Sequence, residues 1–353
     1  MHIAYYITAH GYGHAVRAAT IVNELSPTTT VTFRTNIPRT FFEEELHRPF
    51  NCEQGMFDCG CIQTDSVTVD IQRTLETYKQ LADRHPEMLP VEVAWCRRNH
   101  IDCIVSDIVP FAVEIAQTAG IPSVAVSNFS WYDIYTQYVG HNSWFAPYLK
   151  QMALQYGMAD LLLALHPARL LPHFKTCRPM PIVGRRGKRR TEELKKIYGI
   201  APRKKIGLIY VGDFGMGDVA WYRLAEFEDW EFLGLHTLSG APANYHRVEK
   251  RYMPYQDLSA SADLIISKIG YGTYAESILN GVPLMYIPRH DFAEFPILEE
   301  SISRWGYGHR LEHDQFRASA WHDVLHRVAV SNPPPSLEST GASECAAAIE
   351  AAA

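Results

Sequence analysis

A histidine in a glycine-rich turn is the first residue of this chain whose position suggests chemistry. Residues 9–17 read AHGYGHAVR and lie between an apolar, strand-like run and a helical pattern. Glycines let the backbone turn sharply and leave amides facing a cleft. A histidine at the end of a parallel strand is either a general base or a helix cap or packing residue. We take His14 as a candidate base, and Gly11, Gly13 and Arg17 as candidate ligands of an anionic substrate.

An aspartate after a second buried strand is the natural partner for this histidine. Asp107 ends the run VSD and precedes a helical pattern. Taken alone, it is an ordinary helix N-cap. However, parallel strands converge on one sheet edge, where a carboxylate orients an imidazole and stabilises its protonated form. The sequence therefore predicts that His14 and Asp107 form one catalytic pair.

The most informative segment, residues 267–283, predicts an anion site in the second half of the chain. It reads SKIGYGTYAESILNGVP, a strand end, a glycine turn and a helix with a small or hydroxylated first turn. Unpaired amides and the helix dipole favour a diphosphate at such an N-terminus. Glu276, one turn into the helix, suits ribose hydroxyls, although a solvated helix residue is the alternative. The candidate diphosphate ligands are Lys268, Gly270, Tyr271, Gly272 and Thr273.

Two further loops supply candidates for the same ligand. The segment that follows the next predicted strand carries Arg289, Asp291 and Glu294, donors and acceptors suited to a polyhydroxylated ring. A glycine turn containing Gly212 and Gly215 follows the first strand of this half. It either faces the other side of the phosphates or is a surface turn.

A dinucleotide site and a zinc site are the competing interpretations of these motifs. The first glycine turn has Val16 where the dinucleotide fingerprint requires a third glycine, and no acidic residue ends the second strand. Cys52, Cys59 and Cys61 are near one another, but no second cysteine pair has ligand spacing. We therefore expect neither a dinucleotide cofactor nor a bound metal.

The elements that position these residues alternate between strand and helix along the chain, which indicates parallel sheets. Strand patterns cover residues 2–8, 30–35, 101–106, 122–126 and 161–165, and resume at 206–211, 264–267 and 284–287. We predict an N-terminal Rossmann-like domain (1–170), a C-terminal one (171–330) and a tail helix (331–353) that packs on the first domain. The basic run at residues 185–190 is predicted to be a solvated linker.

Bulk composition restricts the class of protein. The 353 residues are 47% hydrophobic and 20% charged, with a net charge of −6. We expect a globular protein with no membrane span and no nucleic-acid site, although contact with a membrane surface stays open. The N-terminus does not resemble a signal peptide, and the seven cysteines are scattered. Both observations predict free thiols and a cytoplasmic location.

Together, four segments resemble the GT-B glycosyltransferases. The resemblance is to the MurG-related group and to the glycosyltransferase-like N-terminal region of arabinokinases, and it spans most of the chain. It implies two Rossmann-like domains facing across a cleft and a nucleotide-sugar, with UDP-sugars favoured, as the donor substrate rather than a cofactor. The segments are residues 10–17, 63–70, 128–131 and 268–276.

The resemblance also implies roles. His14 with Asp107 would deprotonate an acceptor hydroxyl, and transfer would invert the anomeric carbon without a metal. Glu276 would bind ribose, residues 270–273 the diphosphate, and Asp291 and Glu294 the sugar. Met253 lies in the segment that reads the nucleobase, largely through backbone groups.

Departures from the family pattern leave alternatives. No kinase domain accompanies these motifs, so sugar phosphorylation is not implied. Arg289 and Phe292 replace a more polar loop, which leaves the donor sugar undetermined. A GT-B epimerase acting on the nucleotide-sugar, or a non-catalytic nucleotide-sugar-binding protein, would carry similar motifs.

Overall fold

The computed structural model describes residues 1–8, 10–211, 219–249 and 252–353. These residues form two parallel sheets, each flanked by helices. Apolar side chains fill both faces of the strands, as expected when helices cover a sheet on each side. No helix among the described residues is long and apolar enough to cross a membrane.

The first sheet contains seven described strands in the order β3-β2-β1-β4-β5-β6-β7. Its central pair brings the ends of β1 and β4 together, with Ile7 in register with Asp107. The elements of this half are β1 (His2–Ile7), α1 (Tyr12–Val22), β2 (Thr30–Arg34), α2 (Arg39–Glu45), β3 (Asn51–Glu53), α3 (Ile71–Ala82), α4 (His85–Arg98), β4 (Cys103–Asp107), α5 (Pro110–Ala119), β5 (Ser123–Ser127), α6 (Trp131–Thr136), α7 (Ala146–Tyr156), β6 (Leu161–Leu165) and β7 (Cys177–Met180).

The second sheet contains six described strands in the order β10-β9-β8-β11-β12-β13. Its elements are α8 (Thr191–Tyr198), β8 (Lys205–Tyr210), β9 (Trp230–Gly234), β10 (Tyr245–Arg247), α9 (Tyr255–Ser261), β11 (Leu264–Lys268), α10 (Tyr271–Asn280), β12 (Leu284–Ile287), α11 (Phe295–Trp305), β13 (Gly308–Arg310), α12 (His313–Arg317) and α13 (His322–Val330). In both sheets the strand order reverses beside the central strand, which creates the crevice where open α/β sheets bind ligands.

The last helix, α14 (Gly341–Ala352), lies against α1, β5 and β7 of the first half. Its side chains Cys345 and Ile349 are fully buried. Glu350 accepts hydrogen bonds from Ser26 N (2.8 Å) and Thr29 Oγ1 (2.7 Å). The chain therefore returns to its first domain after completing the second.

The predicted boundary at residue 170 is too early. Strand β7, at residues 177–180, pairs with β6 and belongs to the first sheet. Its proline and exposed side chains do not resemble a buried strand, because β7 is an edge strand with water on one side. The short strands β3, β10 and β13 were missed as well, since three residues carry too little alternation to recognise. Strand β9 was also missed, although it is buried, because Glu231 interrupts its apolar run.

Candidate active site

A cavity of 470 Å³ lies between the two halves and receives residues from both. The first half contributes the glycine turn at residues 10–14, together with Arg17, Gln63 and Phe129. The second half contributes the turn at residues 268–273 and parts of the β12–α11 loop. Most of the predicted site residues therefore meet in one cleft.

The two glycine turns face each other across this cavity. Gly11 has φ +70°, a conformation that favours glycine, and α1 begins directly after it. A Cβ placed on Gly272 would lie 3.8 Å from the Cα of Gly13. The N-termini of α1 and α10 thus lie close together, and both direct positive dipole ends at the cleft. This is a favourable environment for a negatively charged ligand.

His14 and Asp107 are in direct contact. His14 Nδ1 lies 2.7 Å from Asp107 Oδ1, and both side chains are buried. The expected pairing of the two residues is present in the structure, and their catalytic role stays a prediction. Arg17 Nη2 also lies 2.9 Å from His14 Nδ1. In the tautomer whose Nδ1–H donates to Asp107, Nε2 is the ring nitrogen that can accept a proton.

Arg17 is committed to the same carboxylate. Its Nε and Nη2 donate to the two oxygens of Asp107 at 2.6 and 2.5 Å, and Nη1 donates to Asn128 at 3.0 Å. The side chain is 2% exposed. Arg17 lines the cavity, but Asp107 already neutralises its guanidinium. The prediction that Arg17 offsets phosphate charge stays a prediction.

The electrostatic balance keeps His14 neutral and Asp107 charged. Burial and the charge of Arg17 lower the pKa of His14 below its usual value, against the opposing effect of Asp107. Burial raises the pKa of Asp107, but Arg17 and His14 together hold it below its usual value. A neutral imidazole beside an ionised carboxylate is the state that a general base requires.

Asp58 is a buried carboxyl group close to this pair that the sequence did not single out. It accepts hydrogen bonds from Thr8 Oγ1 (2.8 Å) and Trp131 Nε1 (2.9 Å). Burial raises its pKa to about 7, although both hydrogen bonds oppose the shift. Nothing in its local sequence distinguishes it from a surface aspartate, so only the structure reveals it.

The raised pKa of Asp58 predicts a specific dependence of stability on pH. An unfolded aspartate ionises near pH 4, so between about pH 4 and 7 the folded protein holds a proton that the unfolded chain lacks. The contribution of Asp58 to stability therefore falls as pH rises through this window, and levels off above it. Asp58→Asn should remove this dependence, which changes the free energy of unfolding by up to about 4 kcal/mol between pH 4 and pH 7. Urea unfolding at several pH values measures the free energy of unfolding.

The matched control for this experiment is Asp229→Asn, since Asp229 is exposed. It should leave the pH dependence of the unfolding free energy as in the parent protein. An unchanged slope in the Asp58→Asn variant would show that Asp58 is ionised in the folded state at pH 5.

Glu276 lines the cavity but already has a partner. Its Oε1 accepts from Arg185 Nε at 2.7 Å and from Nη2 at 2.5 Å. Arg185 Nη1 also donates to Glu45 of α2 at 2.7 Å. The interpretation of the whole basic run as solvated is therefore wrong at Arg185, which joins carboxylates of the two domains. Burial raises the pKa of Glu276, and Arg185 opposes this shift.

Most of the other predicted ligands line the cavity. They are Gly11, Gly13, Lys268, Gly270, Tyr271, Gly272, Thr273, Arg289 and Glu294. Met253 does not line it, because it is 1% exposed in the apolar core. Asp291 does not line it either; its Oδ2 accepts from Val69 N at 2.9 Å, and its buried Oδ1 has no hydrogen-bond partner among the described residues. The nucleobase contact predicted for the Met253 segment, largely through backbone groups, and the sugar contact predicted for Asp291 stay predictions. Gly212 and Gly215 lie outside the described residues.

Two tyrosines at the cavity wall were missed. Tyr210, at the end of β8, and Tyr255, at the start of α9, have ring centroids 5.4 Å apart. The guanidinium of Arg185 lies 5.3 Å from the Tyr255 ring centroid. Tyr255, two residues after Met253, is the residue of this segment that lines the cleft. The segment was recognised, but not which of its side chains turns inward.

The clustered cysteines are thiols in an aromatic environment. Cys59 and Cys61 lie 3.6 and 3.7 Å from the hydroxyl groups of Tyr135 and Tyr138. Burial raises the pKa of Cys59 to about 12. In the described part of the chain, no group of three or more histidine, cysteine, aspartate or glutamate residues has metal-site geometry.

The chain is similar in sequence to part of a longer protein. An L-arabinokinase of Arabidopsis thaliana is 32% identical over 344 residues, which are 94% of this chain. The chain spans about a third, 32%, of that protein's length. No family model matches the sequence.

Solved glycosyltransferases have the same architecture over nearly the whole chain. The glycosyltransferase of kitacinnamycin superposes with a TM-score of 0.63 at 18% identity, over 99% of this chain and 94% of its own. The calicheamicin glycosyltransferase CalG4 gives 0.62 at 16%, over 99% and 97%. Arabidopsis thaliana UGT89C1, also solved with UDP and with quercetin, gives 0.63 at 14%, over 99% and 94%. The chain therefore has the GT-B fold.

Proposed function

We propose that this protein is a glycosyltransferase that moves a sugar from a nucleoside-diphosphate sugar to an acceptor hydroxyl with inversion. The observation that carries the proposal is the pairing of His14 with Asp107 inside a cleft whose opposite wall is the N-terminus of α10. A base on one domain and an anion site on the other are what direct displacement at a sugar carbon requires.

The donor's diphosphate is assigned to the first turn of α10. Its N-cap is Gly270, and no side chain in the described part of the chain caps this helix. The first amides of a helix lack intrahelical partners, so here they are available to phosphate oxygens. Lys268 lines the cavity at the preceding strand end and adds positive charge there.

The nucleoside of the donor is assigned to the strand ends that lie next to β11 along the sheet edge. Tyr210 ends β8 and Leu235 directly follows β9, both on one side of β11. Glu276 and its partner Arg185 lie close to Tyr255. We place the nucleoside there, with Glu276 on the ribose. UDP is the first candidate, because UGT89C1 has been solved with UDP. The MurG-like assignment remains a prediction from sequence motifs.

The reaction then follows from the position of the base. His14 Nε2 takes the proton of the acceptor hydroxyl while its oxygen attacks the anomeric carbon. The bond from that carbon to the diphosphate breaks, and the nucleoside diphosphate leaves with its charge facing the amides of α10. Asp107 stabilises the imidazolium that forms. A single displacement of this kind inverts the anomeric centre, and none of these steps calls on a metal.

Glu276→Ala tests the donor site. We expect nucleotide binding to weaken by about 1 to 3 kcal/mol, because a hydrogen bond to a charged group is lost. Arg185 loses a partner in the same variant. Glu276→Gln keeps the shape of the side chain and one acceptor oxygen, so its affinity for the nucleotide should lie between that of the parent protein and that of Glu276→Ala. Calorimetric titration with UDP measures both.

The matched control is Glu300→Ala, on the exposed side of α11, where Glu300 pairs with Arg304. Its affinity for UDP should equal that of the parent protein. Equal affinity in the Glu276→Ala variant, with the fold intact, would place the nucleoside elsewhere.

A further inference from the structure

Arg289 is a buried cation at the cavity, and two of its guanidinium nitrogens have no hydrogen-bond partner among the described residues. Its side chain follows β12 and lines the cleft, and the residue is only 4% exposed. Among the residues that the structure describes, neither Nε nor Nη2 has a hydrogen-bond partner. The guanidinium carbon lies 4.1 Å from the centroid of the Phe292 ring, within the range of a cation–π contact.

Each carboxylate of its own loop has another hydrogen-bond partner. Asp291 Oδ2 accepts from Val69 N, while its buried Oδ1 has no hydrogen-bond partner among the described residues, and Glu294 accepts from Asn128 Nδ2 at 2.7 Å. An arginine held in this way bears the cost of desolvation without the gain of an ion pair. Its planar fork of donors matches a carboxylate or a phosphate in two-point geometry.

The position of Arg289 in the sheet indicates which part of a ligand it meets. Strand β11 lies between β8 and β12, and Lys268 is in register with Ile287. Neighbouring strands are roughly 4.8 Å apart. With the nucleoside at the ends of β8 and β9 and the diphosphate at the end of β11, the next group along this edge is the sugar. Arg289 follows β12 and faces that group.

We propose that Arg289 binds a carboxylate on the transferred sugar, so that the donor is a nucleoside-diphosphate uronic acid. This proposal rests on the proposed function, since it takes the nucleotide to lie as described above. The anion completes a site in which Phe292 supports the guanidinium from one side. Arg289 thereby discriminates a sugar acid from the corresponding neutral sugar.

The test compares two donors that differ only at C6 of the sugar. UDP-glucuronate and UDP-glucose are titrated into the protein by calorimetry, with UDP alone as the reference. We expect UDP-glucuronate to bind roughly 10- to 100-fold more tightly than UDP-glucose, the range for a hydrogen bond to a charged group. Arg289→Met should abolish this preference and leave the affinity for UDP unchanged. Arg289→Lys should retain part of the preference.

A second measurement separates a binding role from a structural one. Because Nε and Nη2 of this buried guanidinium have no hydrogen-bond partner in the described part of the chain, Arg289→Met should keep or raise the melting temperature of the free protein. A structural arginine would instead lower the melting temperature when removed. Arg304→Met, on an exposed arginine of α11, is the matched control and should change neither donor preference nor melting temperature.

The outcomes distinguish a failure of the inference about Arg289 from a failure of the proposed function. If UDP binds and the two donors bind equally, Arg289 does not read the sugar and this inference is overturned alone. If only GDP binds, the comparison is made with GDP-mannose and GDP-mannuronate, and equal binding of these two donors overturns this inference. If UDP, GDP, TDP and ADP all fail to bind, both the proposed function and the inference about Arg289 are wrong. If Arg289→Met weakens only the binding of free glucuronate to the UDP-bound protein, the carboxylate belongs to the acceptor and the donor assignment is wrong.

Discussion

Replacement of His14 by alanine is expected to slow sugar transfer by roughly 10²- to 10⁴-fold, the typical effect of removing a general base. The affinity for the nucleotide should change little, because its ligands lie on the other domain. Initial rates at saturating donor, together with calorimetric titration of UDP, measure the two quantities. A loss of UDP affinity that matches the loss of rate would assign His14 to donor binding instead.

Asp107→Asn should reduce the rate in the same direction but less, since the imidazole remains. The double variant should be little slower than His14→Ala alone, because both residues act through one imidazole. Losses that multiply would mean independent roles. Asp107 would then be a structural residue that holds Arg17.

Removal of Arg17 is expected to have the largest effect on stability. Arg17→Met leaves the buried carboxylate of Asp107 without its two-point partner, and breaking a buried ion pair in this way costs about 3 to 5 kcal/mol. The double variant Arg17→Met with Asp107→Asn should recover part of this loss, because no buried charge remains. Urea unfolding at pH 7 measures the free energy of unfolding.

The same variant makes a prediction about the pH dependence of catalysis. Arg17 lowers the pKa of His14, so its removal should raise that pKa. Since the neutral imidazole is the active form, the acidic limb of the rate profile should move to higher pH. Arg39→Met, which removes an exposed arginine, should alter neither property. An acidic limb that stays in place would mean that this limb does not report His14.

Much of the fold was predictable because its central strands are buried on both faces. Runs such as residues 101–106 and 264–267 are almost continuously apolar and are bounded by clear helix signals, so their strands were recognised. The edge strands β7 and β13 were not, because exposure removes the pattern and three or four residues give little signal. The resemblance to GT-B enzymes then supplied the arrangement of the two halves, which periodicity alone does not contain.

The candidate site was predictable where it depends on strand ends and not where it depends on side-chain partners. His14, Asp107 and the two glycine turns each follow a strand, and parallel topology brings strand ends together. The ion pair between Arg17 and Asp107, and the one between Arg185 and Glu276, join residues about 90 positions apart. No local sequence pattern indicates such pairs. Arg17 was therefore predicted to bind phosphate, and Arg185 was predicted to be solvated. Only the packed structure shows that each neutralises a buried carboxylate.

The central claim is that the cleft transfers a sugar, and an NMR time course of the donor tests it most directly. The protein is incubated with UDP-glucuronate, UDP-glucose and a panel of hydroxyl acceptors, with the His14→Ala variant as the control. We predict release of UDP together with a new glycoside of inverted anomeric configuration, at a rate that falls at least 100-fold in the variant. An intact but isomerised donor would identify an epimerase, and a bound donor that stays unchanged with every acceptor would identify a non-catalytic binding protein; either result contradicts the account.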